Sequence, residues 1–129
     1  MKNLEQIRAA NALAYAKAGV KTRGSEEGEV VKKLPALIMA NGLLAAGAFA
    51  FAKGEDEGWY VCFDHLAKHL ADPQIDIVPL DSSNLQTLLE HLSNKADSAT
   101  LMLATEEALA WLGYARRFVR KEPRKAAAK

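Results

Sequence analysis

This sequence of 129 residues has few cysteines and few aromatic side chains, and it has almost no excess of charge of either sign. The single cysteine, Cys62, excludes an internal disulfide. Aromatic residues make up 7% of the chain and are scattered, which argues against a ring platform on which an RNA-recognition module stacks bases. The formal net charge is only +1, so the total charge does not define a class of partner.

A long apolar run that could cross a membrane is also missing, although residues 34–52 carry no charge. A membrane-spanning helix needs about 20 predominantly apolar residues. Here Pro35 and the pair Asn41-Gly42 interrupt the run. We therefore expect one helix to end near Ala40 and a second to span residues 43–53, both buried in a protein core. No amino-terminal signal segment is apparent, so we expect a cytoplasmic protein without a membrane partner.

Charge is distributed unevenly along the chain. Residues 1–53 carry a net charge of +4, residues 54–107 carry −9, and residues 108–129 carry +6. Such a chain can fold into a body with one face suited to a polyanion and another suited to a basic protein. The alternative is that these charges serve solubility alone.

Apolar residues recur almost everywhere at helical spacing, which predicts an all-α protein, a compact bundle of about six helices. The first helix is expected over residues 3–18, with Leu4, Ile7, Ala10 and Ala14 on its inner face. A second should begin between Ser25 and Glu29 and kink or break near Lys32-Lys33, because Pro35 lies inside it. Residues 72–84 are expected to form a loop.

The later helices are predicted from their apolar stripes and from residues that can cap them. Trp59, Phe63, Leu66 and Leu70 form the stripe of the fourth helix. Ser82 or Ser83 could cap the fifth. Asp97 or Ser98 could cap a sixth that runs from about Ala99 to Lys121. These boundaries predict a single helical domain over residues 1–121, followed by a flexible basic tail over residues 122–129.

Residues that could carry catalysis or bind a metal are few. Cys62, His65 and His69 can share one side of the fourth helix as a partial zinc site. They lie beside the apolar stripe, so we interpret them as residues at the boundary of the core. Glu106 and Glu107 are adjacent and therefore point about 100° apart, which favours a solvated face. We expect no enzyme activity, no metal and no cofactor.

The sixth helix combines a broad apolar face with a basic end. Arg116, Arg117 and Arg120 project away from the apolar face, and positive charge continues into the tail. Binding to phosphates would gain free energy from the release of counterions. The alternative is that the basic residues complement the negative end of the helix dipole and keep the tail soluble.

Two segments of the chain resemble a known family. "VVKKLPALIMANGLLAAGAFAF" and "LATEEALAWLGYARRFVRKE" are similar to the small helical subunit of the type III-B CRISPR effector, the Cmr complex. The first carries K-x-L-P-x-L-I followed by N-G-L, and the second begins with T-x-E-A-L and ends with an aromatic residue, arginine and phenylalanine. With "LEQIRAANALAYA" near the amino terminus, the likeness covers most of the chain. The sequence departs from the family pattern at Met39-Ala40, where relatives often have basic or polar residues.

The resemblance implies a non-catalytic subunit that stacks with copies of itself in a ribonucleoprotein used in antiviral defence. Its partners would be the repeated backbone subunit, the large subunit, the guide RNA and the target RNA. The positions that match the family's RNA-contacting residues are Lys32, Lys33, Asn41, Arg116, Arg117 and Arg120.

Two other interpretations stay open. One is the small subunit of a related type III-A or type I effector, with the same helical architecture. The other is a helical protein-interaction scaffold that does not bind RNA directly.

Overall fold

A computed structural model describes residues 2–18 and 30–119. Six helices and no strand are found in these two ranges, so the all-α prediction is confirmed. The helices are α1 (Leu4–Lys17), α2 (Val30–Asn41), α3 (Leu43–Lys53), α4 (Gly58–Ala71), α5 (Leu85–Asn94) and α6 (Ser98–Phe118).

The corner between α2 and α3 forms where the sequence predicted it. Gly42 adopts a φ of +92°, a conformation that L side chains rarely adopt, and its N–H donates to the carbonyl of Ile38 at 2.7 Å. The carbonyl of Gly42 then accepts from Ala46 at 3.0 Å, in the first turn of α3. Of the kink or break predicted near Lys32-Lys33, the break is wrong, because α2 continues through Pro35 without interruption. The predicted start of this helix lies outside the described residues.

Polar caps fix the starts of three helices. Asn3 and Gln6 form a reciprocal capping box at α1. At α5 the cap is Asn84, whose side chain accepts from the N–H of Thr87 at 2.9 Å, so the prediction of Ser82 or Ser83 is wrong. Asp97 caps α6 as predicted, by accepting from the N–H of Thr100 at 2.8 Å. The sixth helix ends at Phe118, earlier than predicted.

The core is built around α6, which packs against α1, α2, α3 and α4. The stripe predicted for α4 is buried. Six residues of the apolar face predicted for the sixth helix are buried as well: Ala104, Ala108, Trp111, Leu112, Ala115 and Val119. Buried apolar side chains from all six helices join in one cluster. The inner face predicted for α1 is largely wrong: Ile7, Ala12 and Tyr15 are buried, whereas Leu4, Ala10 and Ala14 are exposed.

The uncharged segment predicted to be core is built into the bundle as α3 and the end of α2. Ala46, Gly47 and Ala50 of α3 are buried. A Cβ atom at Gly47 would lie 2.6 Å from Cδ2 of Leu89, so the small residue lets α3 approach α5 closely. Among the described residues, no helix is both long and apolar enough to cross a membrane.

Candidate nucleic-acid interface

Lys32 and Lys33 lie near the amino-terminal end of the described part of α2, and both side chains are exposed. Their positions follow from the helix period, because Val31 and Leu34 on either side of them face the core. The two ammonium groups are therefore held on the solvent side of a helix whose other side is fixed by packing.

Arg116 and Arg117 lie in the last turn of α6 and are exposed. One nitrogen of the Arg117 guanidinium, Nη1, donates to the carbonyl of Gly113 at 2.9 Å. A guanidinium group has five N–H donors, so this bond orients Arg117 and leaves donors for a ligand. The adjacent Ala115 is buried, which anchors the basic turn to the core. Arg120 lies outside the described residues.

Asn41, the remaining predicted RNA contact, ends α2 and lies in a different setting. It lines a groove of about 520 Å³ between the α2–α3 corner and the amino-terminal half of α6. Leu43, Leu44 and Met102 also line it, and Glu106 is the only charged residue of the lining within the described part of the chain. Asn41 is therefore separated from Lys32, which lies nine positions away in α2, or about 13 Å along the helix axis.

A buried ionic cluster that the sequence analysis missed joins α1, α4 and α6. The guanidinium of Arg8 donates through Nε and Nη2 to the two carboxylate oxygens of Glu107, both at 2.7 Å. Nε2 of His69 lies 2.9 Å from Oε2 of the same carboxylate. Glu107 is 7% exposed and His69 is 1% exposed, so the interpretation of Glu107 as part of a solvated face is wrong.

The hydrogen bonds around His69 define its proton position. The amide nitrogen of Asn11 lies 2.9 Å from Nδ1 of His69 and also donates to Oδ2 of Asp72 at 3.0 Å. Because that amide nitrogen is a donor, Nδ1 acts as the acceptor and Nε2 carries the hydrogen given to Glu107. One face of the imidazole stacks on Trp111, with ring centroids 5.8 Å apart.

The charges in this cluster support one another. Burial opposes ionisation of Glu107, but hydrogen bonds from Arg8 and His69 outweigh it and hold the pKa of Glu107 at about 2. The hydrogen bond to Glu107 in turn raises the pKa of Arg8, against the opposing effect of burial. The ion pair and its hydrogen bonds connect α1 with α4 and α6.

A feature of the sequence could have revealed Glu107. It falls within the apolar stripe of α6, three positions after Ala104 and four before Trp111, so a carboxylate there must enter the core or distort the helix. Nothing in the sequence identifies Arg8 as the partner of Glu107, because contact between residues so far apart in the chain depends on how the helices pack.

The residues considered as a partial zinc site are packed into the core. Cys62 is fully buried and hydrogen bonds with Tyr15, and burial raises the pKa of the thiol to about 12 despite that bond. His65 is partly buried against the ring of Tyr15, with centroids 5.2 Å apart. Placing Cys62 and His69 at the boundary was therefore wrong. No group of three or more His, Cys, Asp or Glu side chains in residues 2–18 and 30–119 is arranged to hold a metal ion.

Comparison with known proteins places this chain in a family. The family model described as "CRISPR-associated protein (Cas_Cmr5)" matches residues 4–122, which is most of the chain. No curated protein and no solved structure gives a match. The matched range includes all six helices, both basic positions of α2 and the basic end of α6. The chain is therefore a Cmr-associated subunit and belongs to the Cas_Cmr5 family of CRISPR-associated proteins.

Proposed function

We propose that the protein is the non-catalytic small subunit of a type III-B Cmr ribonucleoprotein effector in antiviral defence. In this role it stacks along the complex and contacts the backbone of the target RNA. The observation that carries the proposal is the family match over residues 4–122, which includes the exposed arginines that end α6. Its partners are the repeated backbone subunit, the large subunit, further copies of itself, the guide RNA and the target RNA.

The packing of α2 on α6 supports a single basic surface. The carboxyl-terminal end of α2 and the amino-terminal half of α6 line one groove, and the two helices pack together. We take them to run antiparallel, which directs Lys32 and Lys33 towards the end of α6 that carries Arg116 and Arg117. These four side chains are exposed and stand on helices whose opposite faces are buried. Asn41 is not part of this surface.

Lysine and arginine on rigid helices suit a subunit that does not read sequence. They neutralise phosphates whatever the bases are, while pairing with the guide supplies specificity. The acidic segment, residues 54–107, belongs to the same body and disfavours phosphates, so the RNA is confined to the basic surface. The buried Glu107 and His69 have no part in chemistry on RNA, because their polar atoms are engaged with Arg8, with Asn11 and with each other.

The proposal is tested by reversing charge and measuring the salt dependence of RNA binding. The affinity of the purified protein for two single-stranded RNAs of unrelated sequence is measured by fluorescence anisotropy at several salt concentrations. Each phosphate contact contributes about −0.7 to the slope of log affinity against log salt. Changing Arg116→Glu and Arg117→Glu together should make the slope less negative by about 1.4, equally for both RNAs. Lys32→Glu should act in the same direction.

A matched control reverses two exposed lysines elsewhere, Lys68→Glu with Lys95→Glu, which changes the net charge by the same amount. This variant should keep a slope close to that of the unmodified protein. If the control and the arginine variant change the slope equally, the effect is one of net charge and no surface has been identified. If the arginine variant binds RNA normally but no longer joins the other subunits, the basic surface is a protein interface and the scaffold interpretation is correct.

A further inference from the structure

The apolar groove between the α2–α3 corner and α6 is poorly suited to RNA. Among residues 2–18 and 30–119, its lining consists of the segment from Asn41 to Ala45 together with Leu101, Met102, Thr105 and Glu106, and includes no lysine or arginine. The hydroxyl of Thr105 already donates its hydrogen to the carbonyl of Leu101 at 2.8 Å, so it has no donor left for a phosphate. A phosphate placed there would meet apolar surface and the Glu106 carboxylate, both of which are unfavourable.

The same lining suits an apolar side chain. Met102 is 64% exposed, and its unbranched thioether can adjust to the shape of a guest. Gly42 lies at the corner, and beyond its two chain neighbours no heavy atom of the described residues lies within 4 Å of the position that a Cβ would occupy, which keeps this side of the groove open. Leu43 is buried at 2% exposure, so the groove has a firm apolar wall. The volume of about 520 Å³ is enough to admit a large apolar side chain from another molecule.

The polar groups of the groove indicate what should accompany that side chain. Glu106 is exposed, and its side chain has no hydrogen bond or ion pair within residues 2–18 and 30–119. The next residue, Glu107, is already paired with Arg8 and His69. Of these two glutamates, Glu106 is therefore the one that can pair with a lysine or arginine of another molecule. A carboxylate next to an apolar depression complements a lysine or arginine that flanks an apolar residue.

We infer that this groove is a docking site for another protein subunit of the effector complex, which inserts an apolar side chain and pairs a neighbouring lysine or arginine with Glu106. The inference rests on the proposed role as a subunit of that complex. It assigns Asn41 to a protein interface, whereas the basic residues of α2 and α6 remain the RNA surface.

Two adjacent residues of α6 provide a matched test. Met102 lines the groove, whereas Leu103 does not, although both are more than half exposed. Met102→Glu and Leu103→Glu add the same charge, and each new carboxylate stands four residues before a glutamate, so the cost to the helix is comparable. Full-length variants are first compared by circular dichroism and thermal melting to confirm that both fold.

Each variant is then mixed with the other purified subunits and the guide RNA, and its affinity for the complex is measured. Met102→Glu should weaken incorporation by about tenfold or more, and Leu103→Glu by less than about twofold. Equal effects of the two substitutions, or no effect of Met102→Glu, would overturn the inference. Binding of RNA by the isolated Met102→Glu variant should be unchanged, so failure at the groove is distinguished from failure of the RNA proposal.

A photocrosslinking amino acid at position 102 identifies the occupant of the groove in the assembled complex. The expected product is a peptide of a different protein subunit in which an apolar residue lies within about two positions of a lysine or arginine. A crosslink to RNA would show a nucleic-acid site, and a crosslink between two copies of this chain would show self-association. Either product overturns the assignment to a different subunit.

Discussion

Arg8 and Glu107 form a two-point ion pair although 99 residues separate them in the chain. The guanidinium donates two parallel N–H groups to the two carboxylate oxygens, both at 2.7 Å. This bidentate geometry fixes the orientation of α1 relative to α6 as well as the distance between them. His69 holds the same carboxylate from α4, so a single side chain of α6 connects the first, fourth and sixth helices. The ion pair therefore joins the first helix to the last.

Removing the carboxylate should strongly destabilise the fold. Glu107→Ala leaves the guanidinium of Arg8 and the imidazole of His69 without their partner in a largely buried site. We expect the free energy of unfolding to fall by about 3 kcal/mol. Urea denaturation followed by circular dichroism measures this loss. The control Glu106→Ala changes an exposed neighbour and should alter stability by less than about 0.5 kcal/mol. Similar losses in both variants would mean that the ion pair contributes little.

The same carboxylate should make stability depend on pH in acid. The pKa of Glu107 is about 2 in the folded protein, against 4.5 for the free group, so the unfolded state binds the proton first. Its contribution is present above about pH 4.5 and is lost as the pH falls towards 2. The difference in unfolding free energy between the unmodified protein and Glu107→Gln should shrink over this window. A constant difference between pH 5 and pH 3 would contradict the assigned pKa.

The Cys62 thiol should be inert while the protein is folded. It is fully buried and its pKa is raised to about 12, so almost no thiolate is present near neutral pH. A thiol reagent such as Ellman's reagent should react with less than about a tenth of the protein under native conditions and fully in guanidinium chloride. Rapid labelling of the native protein at pH 7 would show that α4 opens or packs differently.

The cap of α5 can be checked with neighbouring residues. Asn84→Ala removes the acceptor for the Thr87 N–H and should cost about 1 kcal/mol of stability. Ser83→Ala changes a residue that does not cap the helix and should cost less than about 0.5 kcal/mol. Thermal melts of the two variants give the comparison. A larger loss for Ser83→Ala would place the start of α5 at the serine.

Much of the fold could be predicted from local patterns. The sequence predicted α3 at the observed bounds from the interruption of the apolar run at Asn41-Gly42. In the structure Gly42 before the helix and Gly54 after it both adopt positive φ. The stripe of α4 and the apolar face of α6 follow from a period of 3.6 residues. The errors at α5 and at Pro35 are also local. Four consecutive polar residues, Asp81 to Asn84, could each cap α5. Proline disfavours a helix interior, but packing can still stabilise the helix.

The candidate sites depend on packing between helices. The basic residues of α2 and α6 could be selected from their charge and from the family resemblance. The sequence could not predict that Asn41 lies in a different place from the lysines of α2. This placement follows from the contact between the α2–α3 corner and the amino-terminal half of α6.

The sequence alone determined the helical class, the positions of most helices and which side chains are charged, because these follow from near neighbours in the chain. Only the tertiary structure decided which face of α1 is buried, that Glu107 is paired rather than solvated, and that an apolar groove lies beside Glu106. A buried carboxylate is stable only where distant donors converge on it, and those donors come from helices brought together by the collapse of the whole apolar surface.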